Sequence, residues 1–335
     1  MCEAASLRAK LHAAYFPISF ASVRLPQRSL VPTKAGPIID RRMLPALTFR
    51  DIPRAIVTAS SPNHKESLKA LYGSIKRHEP RSKLVIFAMK FGEQDLAELK
   101  TWPEADVRVF DFAKYPAFMD VDVERGQYAW KGMMLKEVAR EQGGLVLWLD
   151  AGDLIWADLN RNVWRELTAA GAYSTQTLNN IENWVHPAMM TYFNMPETLR
   201  SRPMCNGATF GFHMFDPRAV QHVALPVCSC SPKLLFVSIL ICAKYFDCMA
   251  KKECVAPEGT SRANHRQDQS ALTVLFYMND LGRLCEKWDN SRHIGNGVSP
   301  SVSDLLSSFT ITMHNDQPGE GSKRCRYPSG AEYDC

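Results

Sequence analysis

Apolar runs and amphipathic stretches alternate regularly over the first half of the chain. Short apolar runs bounded by Gly, Pro or Asp are typical of buried strands, whereas apolar positions three and four apart are typical of helices. Ser61 before Pro62 is the pattern of an N-cap followed by proline at the first helical position. These patterns predict strands at 54–60, 82–88, 107–112 and 144–149, and helices at 62–75, 92–102 and 127–142.

This alternation predicts an α/β fold in which helices flank a mostly parallel central sheet. Beyond residue 153 the alternation is less regular. The elements predicted there are a helix at 161–170, a strand at 172–175, a strand at 204–213 that starts through an Asn206-Gly207 turn, a helix after Asp216-Pro217, a helix at 265–277 and a strand at 309–313. The sequence has no visible internal repeat and no clear linker, so we expect a single domain.

The N-terminal segment differs from the rest of the chain in charge. Residues 1–50 hold eight Lys or Arg and two acidic residues, whereas the remainder is nearly neutral. A basic segment without helical or strand period is typical of a disordered or targeting leader, and the interpretations are an organelle transit segment, an untranslated upstream region misread as coding, or a disordered tail. Because the body has no basic excess, a nucleic-acid partner is not indicated. The predicted boundaries are a leader at 1–52, a folded domain at 53–318 with an insertion or gene-model artefact at 225–243, and a tail at 319–335.

Apolar runs and cysteines bear on the compartment. No run approaches the roughly 18–20 apolar residues that a membrane span requires, so we predict no transmembrane segment in this chain. Nine of the ten cysteines follow residue 200, which is compatible with disulfides formed in an oxidising compartment. Their spacings lack the paired C-x2-C rhythm of a zinc site. Buried thiols together with one or two disulfides are therefore favoured over a metal cluster.

The strand at 144–149 ends in the sequence Asp150-Ala-Gly-Asp153. In open α/β sheets, ligands bind in the crevice outside the carboxyl ends of the strands. Two carboxylates three residues apart at that edge suit a hard cation that carries phosphates. The plain alternative is that Asp150 ends the strand and Asp153 caps a following turn, and the two interpretations have equal weight.

Two other chemistries use residues at strand ends, and the sequence disfavours both. A phosphatase of the haloacid-dehalogenase type needs two aspartates at a spacing of two, followed by a hydroxyl residue, whereas here the spacing is three and Leu154 follows. A dinucleotide-dependent dehydrogenase needs G-x-G-x-x-G after the first strand, where this chain has Thr58-Ala-Ser-Ser-Pro62.

Other polar residues fall on faces or ends predicted to be apolar. Lys131 shares the apolar face of the predicted helix 127–142, where it either extends to solvent or reaches a diphosphate. Asp268-Gln269 lies at a predicted helix N-terminus. There it serves as an acceptor-side base or sugar contact, or it is simply an ordinary polar first turn. Asn206-Gly207 and His314 accompany predicted strands. A histidine there is more often structural, although a site with two carboxylates leaves coordination positions unfilled.

Taken together, these segments resemble GT-A-fold glycosyltransferases, of the nucleotide-diphospho-sugar transferase superfamily. The similarity extends over about residues 54–316 and is greatest to a poorly characterised eukaryotic glycosyltransferase-like family. The segments that carry it are 128–131, 146–152, 254–259 and 264–272. The sequence departs from the family pattern in having D-A-G-D in place of D-x-D, and in lacking the His-x-x-Gly-x-x-Lys-Pro-Trp context at its late histidine.

The resemblance implies a GT-A-like (Rossmann-like) sheet and a role for each candidate residue. Asp150, Asp153 and His314 are expected to hold Mn²⁺ or Mg²⁺, and Asp268 is the expected catalytic residue. The residues expected to contact the nucleotide sugar are Thr58, Ala59, Ser60, Lys131, Asn206, Gly207 and Gln269.

The function implied by the resemblance is metal-dependent, hexosyltransferase-like transfer of a sugar. The expected donor is a nucleoside-diphosphate sugar, UDP-linked, and the acceptor is an unknown glycan, protein or lipid. The resemblance favours a Golgi or secretory lumen. The distorted aspartate motif keeps open a catalytically inactive glycan- or nucleotide-binding protein, and a metal-dependent phosphatase is a weaker alternative.

Overall fold

Four parallel strands form the centre of the structure, a computed structural model that describes residues 52–214, 232–287 and three short strands beyond residue 310. The parallel strands are β1 (Arg54–Ser60), β2 (Lys83–Ala88), β3 (Ala105–Val109) and β4 (Gly144–Leu149), in the spatial order β3-β2-β1-β4. Since parallel strands need crossover connections, the helices between them cover both faces of the sheet.

Two antiparallel strands extend the sheet beyond β4. They are β6 (Ala172–Asn180) and β7 (Pro203–Met214), and the short β5 (Asp153–Ile155) lies between β4 and β6 in the chain. β7 pairs with β4, so that Leu149 lies opposite Thr209. The complete order is β3-β2-β1-β4-β7-β6. β5 pairs with β8 (Ile311–Met313), and β9 (Arg324–Arg326) pairs with β10 (Glu332–Asp334).

Ten α-helices are present in the described part of the chain. They are α1 (Lys65–His78), α2 (Glu93–Lys100), α3 (Trp130–Gln142), α4 (Arg165–Ala170), α5 (Ile181–Trp184), α6 (Pro187–Tyr192), α7 (Pro232–Met249), α8 (Lys252–Val255), α9 (Gln267–Met278) and α10 (Gly282–Lys287). The predicted α/β class, with helices flanking a mostly parallel sheet, is confirmed. The described residues belong to one compact unit.

Alternation along β4 divides the core into two layers. Leu145, Leu147 and Leu149 pack in a cluster with α1, whereas Val146 and Trp148 pack in a cluster with α3, α7 and α9. Successive side chains of a strand point to opposite faces, so a strand covered on both faces is apolar at every position. This explains why an uninterrupted apolar run precedes the first aspartate of the motif.

The predicted helix at 127–142 begins later than expected. Residues 124–128 form a tight turn in which all five φ angles are positive, from 47° to 60°, and α3 begins only at Trp130. Left-handed conformations cost roughly 1–2 kcal/mol for each non-glycine residue, and periodicity cannot anticipate such a turn. At its centre Gly126 is required, because a Cβ atom would lie 2.2 Å from the carbonyl oxygen of Met119.

Other sequence-based elements need smaller corrections. Asn206-Gly207 lies inside β7 rather than in a turn, since both residues continue the extended backbone. β6 is longer than predicted and contains register irregularities against β7. The predicted helix after Asp216-Pro217 lies outside the described residues.

The region after β7 adds a helix and two disulfides. α7 includes the last part of the segment interpreted as an insertion, and Ile241 belongs to the core. Disulfides join Cys205 to Cys285 and Cys248 to Cys254. Every helix among the described residues is too short or too polar to cross a lipid bilayer.

Candidate active site

A cleft of about 310 Å³ opens where the carboxyl end of β4, the middle of β7 and the start of α9 meet. It lies outside the carboxyl end of β4, at the place in an open α/β sheet where ligands are expected. Six residues predicted from the sequence line it, namely Lys131, Asp150, Asn206, Gly207, Asp268 and Gln269.

Lys131 lies at the centre of this group. Its side chain is only 4% exposed, and its Nζ atom lies 2.8 Å from Asp150 Oδ1 and 3.4 Å from Asp268 Oδ2. The ammonium also donates a hydrogen bond to the carbonyl oxygen of Gly207 at 3.0 Å. One buried cation therefore joins the residue that follows β4 with residues of β7 and α9.

Aromatic rings complete the surroundings of Lys131. Its Nζ atom lies 5.5 Å from the ring centroids of Tyr128 and Trp148 and 5.9 Å from that of Trp130, within the range of cation–π attraction. Burial by itself would lower the pKa of Lys131, but the negative charges of Asp150 and Asp268 outweigh burial and raise it. The ammonium therefore stays charged at neutral pH.

Asp268 occupies the first turn of α9 and is buried. Among the described residues, its Oδ2 atom accepts no hydrogen bond and makes an ion-pair contact with Lys131. Burial raises the pKa of Asp268 to about 6, against the opposing effect of the Lys131 charge. A carboxylate with this pKa changes charge close to neutral pH, which is where a general acid or base works best.

Asn206 and Gly207 form the floor between these charges. Asn206 Oδ1 accepts a hydrogen bond from the backbone N–H of Ala208 at 2.8 Å, and the Asn206 backbone exchanges hydrogen bonds with the hydroxyl of Ser174. A Cβ atom on Gly207 would lie 2.8 Å from Gln269 Cβ. Glycine is therefore needed for α9 to approach β7 closely.

The two aspartates of the D-A-G-D motif occupy different positions. Asp150 borders the cleft with 34% of its side chain exposed, and its Oδ1 accepts a hydrogen bond from Trp148 Nε1 at 2.7 Å. Asp153 is fully buried, and its Oδ2 accepts a hydrogen bond from Thr209 Oγ1 at 2.8 Å. Burial, followed by the charge of Asp150, raises the pKa of Asp153 well above its usual range.

Whether these carboxylates suit a divalent cation can be judged from their oxygen atoms. Asp153 Oδ1 is buried and accepts no hydrogen bond from the part of the chain that the structure describes, while Asp150 faces the cleft. Neighbouring carboxylates are ligands that Mg²⁺ and Mn²⁺ accept. Within the described residues no group of three or more His, Cys, Asp or Glu could hold a metal ion. The two aspartates thus fit a cation as part of a ligand set, whose third predicted member, His314, lies outside the described residues.

Thr58, Ala59 and Ser60 are buried at the carboxyl end of β1 and do not line the cleft. Ser60 Oγ donates to the backbone carbonyl of Ser61, whereas Thr58 Oγ1 is buried and has no hydrogen-bond partner within residues 52–214 and 232–287. Their predicted contact with the nucleoside stays a prediction.

Eight cleft residues were not named as site residues from the sequence: Tyr128, Thr177, Asn179, Trp184, Ala208, Arg262, Arg266 and Gln267. Arg266 immediately precedes α9, and Arg262 lies four residues before it. Their position just before the Asp268-Gln269 pair is a signal that could have drawn attention to them. Trp184 gives no such signal, because it is brought in from α5 by the fold.

Comparison with protein families matches residues 50–136 to a family described as a protein of unknown function (DUF1647). The matched range is less than half of the chain and includes Lys131 but none of the candidate aspartates. None of the curated proteins matches this sequence significantly.

Solved structures that match this chain include three glycosyltransferases. The apo structure of the bifunctional glycosyltransferase WbbM has a TM-score of 0.45 at 14% identity, covering 81% of this chain and 46% of that one. The galactosyltransferase LgtC with donor and acceptor sugar analogues has 0.39 at 14%, covering 79% and 87%. Mouse xyloside xylosyltransferase 1 has 0.37 at 10%, covering 69% and 83%. This chain therefore spans less than half the length of WbbM, and at such scores the likeness assigns no role to any residue.

Proposed function

We propose that this protein transfers a sugar from a nucleoside-diphosphate sugar, UDP-linked, to an acceptor bound in the same cleft. The observation that carries the proposal is the buried ammonium of Lys131 between Asp150 and Asp268, at the carboxyl end of a parallel strand. Burying a charge is costly, and a buried cluster is maintained only where its members are mutually paired. A cleft that combines a fixed cation, a partly exposed carboxylate and a titratable carboxylate suits a substrate with phosphates and hydroxyls.

Each residue has a distinct role in this proposal. Lys131 holds Asp150 and Asp268 at fixed positions and keeps a positive charge beside the departing diphosphate. Asp268 serves as the acceptor-side base or as a sugar contact, since its carboxylate is ionised above about pH 6. Asn206, Gly207 and Gln269 shape the surface against which the sugar lies.

A divalent cation, Mn²⁺ or Mg²⁺, is part of the proposal. Asp150 and Asp153 would hold it, together with His314 outside the described residues. When bound, such a cation neutralises charge on the leaving diphosphate as a Lewis acid. The buried Oδ1 of Asp153, which has no hydrogen-bond partner among the described residues, supports this assignment.

The acceptor is a glycan, protein or lipid, and we place the reaction in a Golgi or secretory lumen. Support for the compartment comes from two disulfides whose four cysteines are buried. Disulfides persist in oxidising compartments and are rare in the cytosol.

The proposal is tested by incubating the protein with a panel of UDP-sugars and Mn²⁺ and measuring released UDP. We expect hydrolysis or transfer for at least one sugar, and its loss in Asp150→Asn and Asp268→Asn. Asp247→Asn, on the exposed side of α7, is a matched control. If the wild type releases no UDP, or if Asp150→Asn and Asp268→Asn both retain the activity of the Asp247→Asn control, transfer at this cleft is wrong.

A second function, nucleotide or glycan binding without catalysis, is favoured by one observation. Asp153 is hydrogen-bonded to Thr209 and does not line the cleft. Of the two aspartates in the D-A-G-D motif, only Asp150 therefore borders the described cleft. Calorimetric UDP binding by a protein that turns over no UDP-sugar would establish this alternative.

A further inference from the structure

Two arginines line the cleft without belonging to its cluster of paired charges. Arg262 is exposed and Arg266 is partly buried, and both border the same volume as Lys131 and Asp268. Nothing in the proposed transfer mechanism above uses them. Their surroundings nevertheless indicate a specific kind of ligand.

Both guanidinium groups are positioned by aromatic rings. The Cζ atom of Arg266 lies 3.8 Å from the ring centroid of Trp184, and that of Arg262 lies 5.4 Å from the centroid of Tyr128. Arg262 also donates a hydrogen bond to the Tyr128 hydroxyl. A cation–π contact does not use up the N–H donors of a guanidinium, which remain available for hydrogen bonds. The aromatic rings therefore hold both side chains in place, while N–H donors of each guanidinium remain available to a ligand.

Neither arginine is neutralised by an acidic side chain among the described residues. No carboxylate there lies within ion-pair distance of either guanidinium, and the two aspartates of the cleft are both paired with Lys131. Burial, and then the charge of Arg262, lowers the pKa of Arg266. The two guanidinium groups thus face the same cleft. The cleft lining holds three cationic side chains, these two arginines and Lys131, but only two carboxylates.

We propose that Arg262 and Arg266 form an anion-binding rim, so that this cleft takes a substrate carrying a phosphate, sulfate or carboxylate group. This inference rests on the proposed function, which it deepens by naming the chemical class of one substrate group. A guanidinium matches such anions with two parallel N–H···O bonds, and these charge-assisted bonds are about twice as strong as neutral ones. The group belongs either to the diphosphate of the donor or to an acidic acceptor.

Calorimetric titration of Arg262→Gln, Arg266→Gln and the double variant tests the inference. The probes are UDP against uridine, and a sulfated N-acetylhexosamine disaccharide against its desulfated form. The control is Arg283→Gln, an exposed arginine on α10 that does not line the cleft. We expect each rim substitution to weaken the anionic probe about tenfold, as loss of one charge-assisted hydrogen bond implies, with the neutral probe unchanged.

The pattern of losses identifies the source of the anion. Loss for UDP alone supports the donor diphosphate, and loss for the sulfated disaccharide alone supports an acidic acceptor. If the wild type binds UDP and all three rim variants bind every probe as the control does, the rim is wrong while the proposed function stands. If the wild type binds no nucleotide but prefers the sulfated disaccharide through these arginines, the proposed function is wrong and the rim stands. If it binds neither anionic probe, both are wrong.

Discussion

Replacement of Lys131 by methionine removes the ammonium from a cluster that contains a buried carboxylate. Methionine retains the volume and apolar contacts of the lysine stem, so the change isolates the charge. Breaking a buried ion pair by removing one partner costs about 3–5 kcal/mol. We expect a loss near the lower end, about 3 kcal/mol at pH 8, because Asp150 is 34% exposed and can regain water.

The loss depends on pH through Asp268. In the wild type, the pKa of Asp268 is about 6, above its usual value of 3.8. Without the Lys131 charge the pKa of Asp268 rises further. Each additional pKa unit lowers the free energy of unfolding by about 1.4 kcal/mol at pH values where the carboxylate is ionised in the unfolded state but not in the folded state. A raised folded-state pKa lowers stability as the pH increases, so the difference between wild type and variant is large at pH 8. It narrows at pH 5, where Asp268 is largely protonated in both folded proteins.

Urea unfolding at pH 5 and pH 8 measures this difference. The matched control is Lys136→Met on the same helix, because Lys136 is only partly buried and has no carboxylate within ion-pair distance among the described residues. Two results would refute the reasoning: a Lys131→Met loss no larger than that of the control, or a loss that is larger at pH 5 than at pH 8.

Three further predictions concern the same cleft. Gly207→Ala should lower the free energy of unfolding by about 1–3 kcal/mol and reduce UDP-sugar turnover, because its new Cβ atom meets α9. The control Gly73→Ala, with open space around it, should gain up to about 1 kcal/mol, and equal effects of the two changes in urea unfolding would contradict this. Replacing Cys205 and Cys285 together by alanine should cost about 4–5 kcal/mol, because their disulfide closes a separation of 80 residues; a loss below about 1 kcal/mol in non-reducing urea unfolding would contradict that. Turnover should rise as the pH increases through about 6, as Asp268 ionises, and a flat pH profile would exclude its role as a base.

Much of the sheet is predictable because its strands are locally encoded. β1, β2 and β4 are apolar runs with clear boundaries, and both faces of each are buried. The turn at 124–128 is not predictable from periodicity, since its five left-handed residues include only one glycine. Asn206-Gly207 looks like a turn locally, yet the pairing of β7 with β4 keeps it extended.

The candidate site is predictable in membership but not in arrangement. Lys131, Asp150 and Asp268 are each predictable because a polar side chain stands within, or at the end of, an element predicted to be apolar. Their contact with one another depends on β7 and α9 reaching the end of β4 over long sequence separations, which no local pattern specifies. For the same reason the sequence could not show that Asp150 borders the cleft while Asp153 lies behind it.

Whether this cleft binds a nucleoside diphosphate is measured most directly by calorimetric titration of the full chain with UDP in the presence of Mn²⁺. We predict saturable binding by the wild type with one site per chain, no binding by Asp150→Asn, and unchanged binding by Asp247→Asn. A wild type that binds no UDP, or an Asp150→Asn variant that binds it with wild-type affinity, would contradict a nucleotide-sugar site at Asp150.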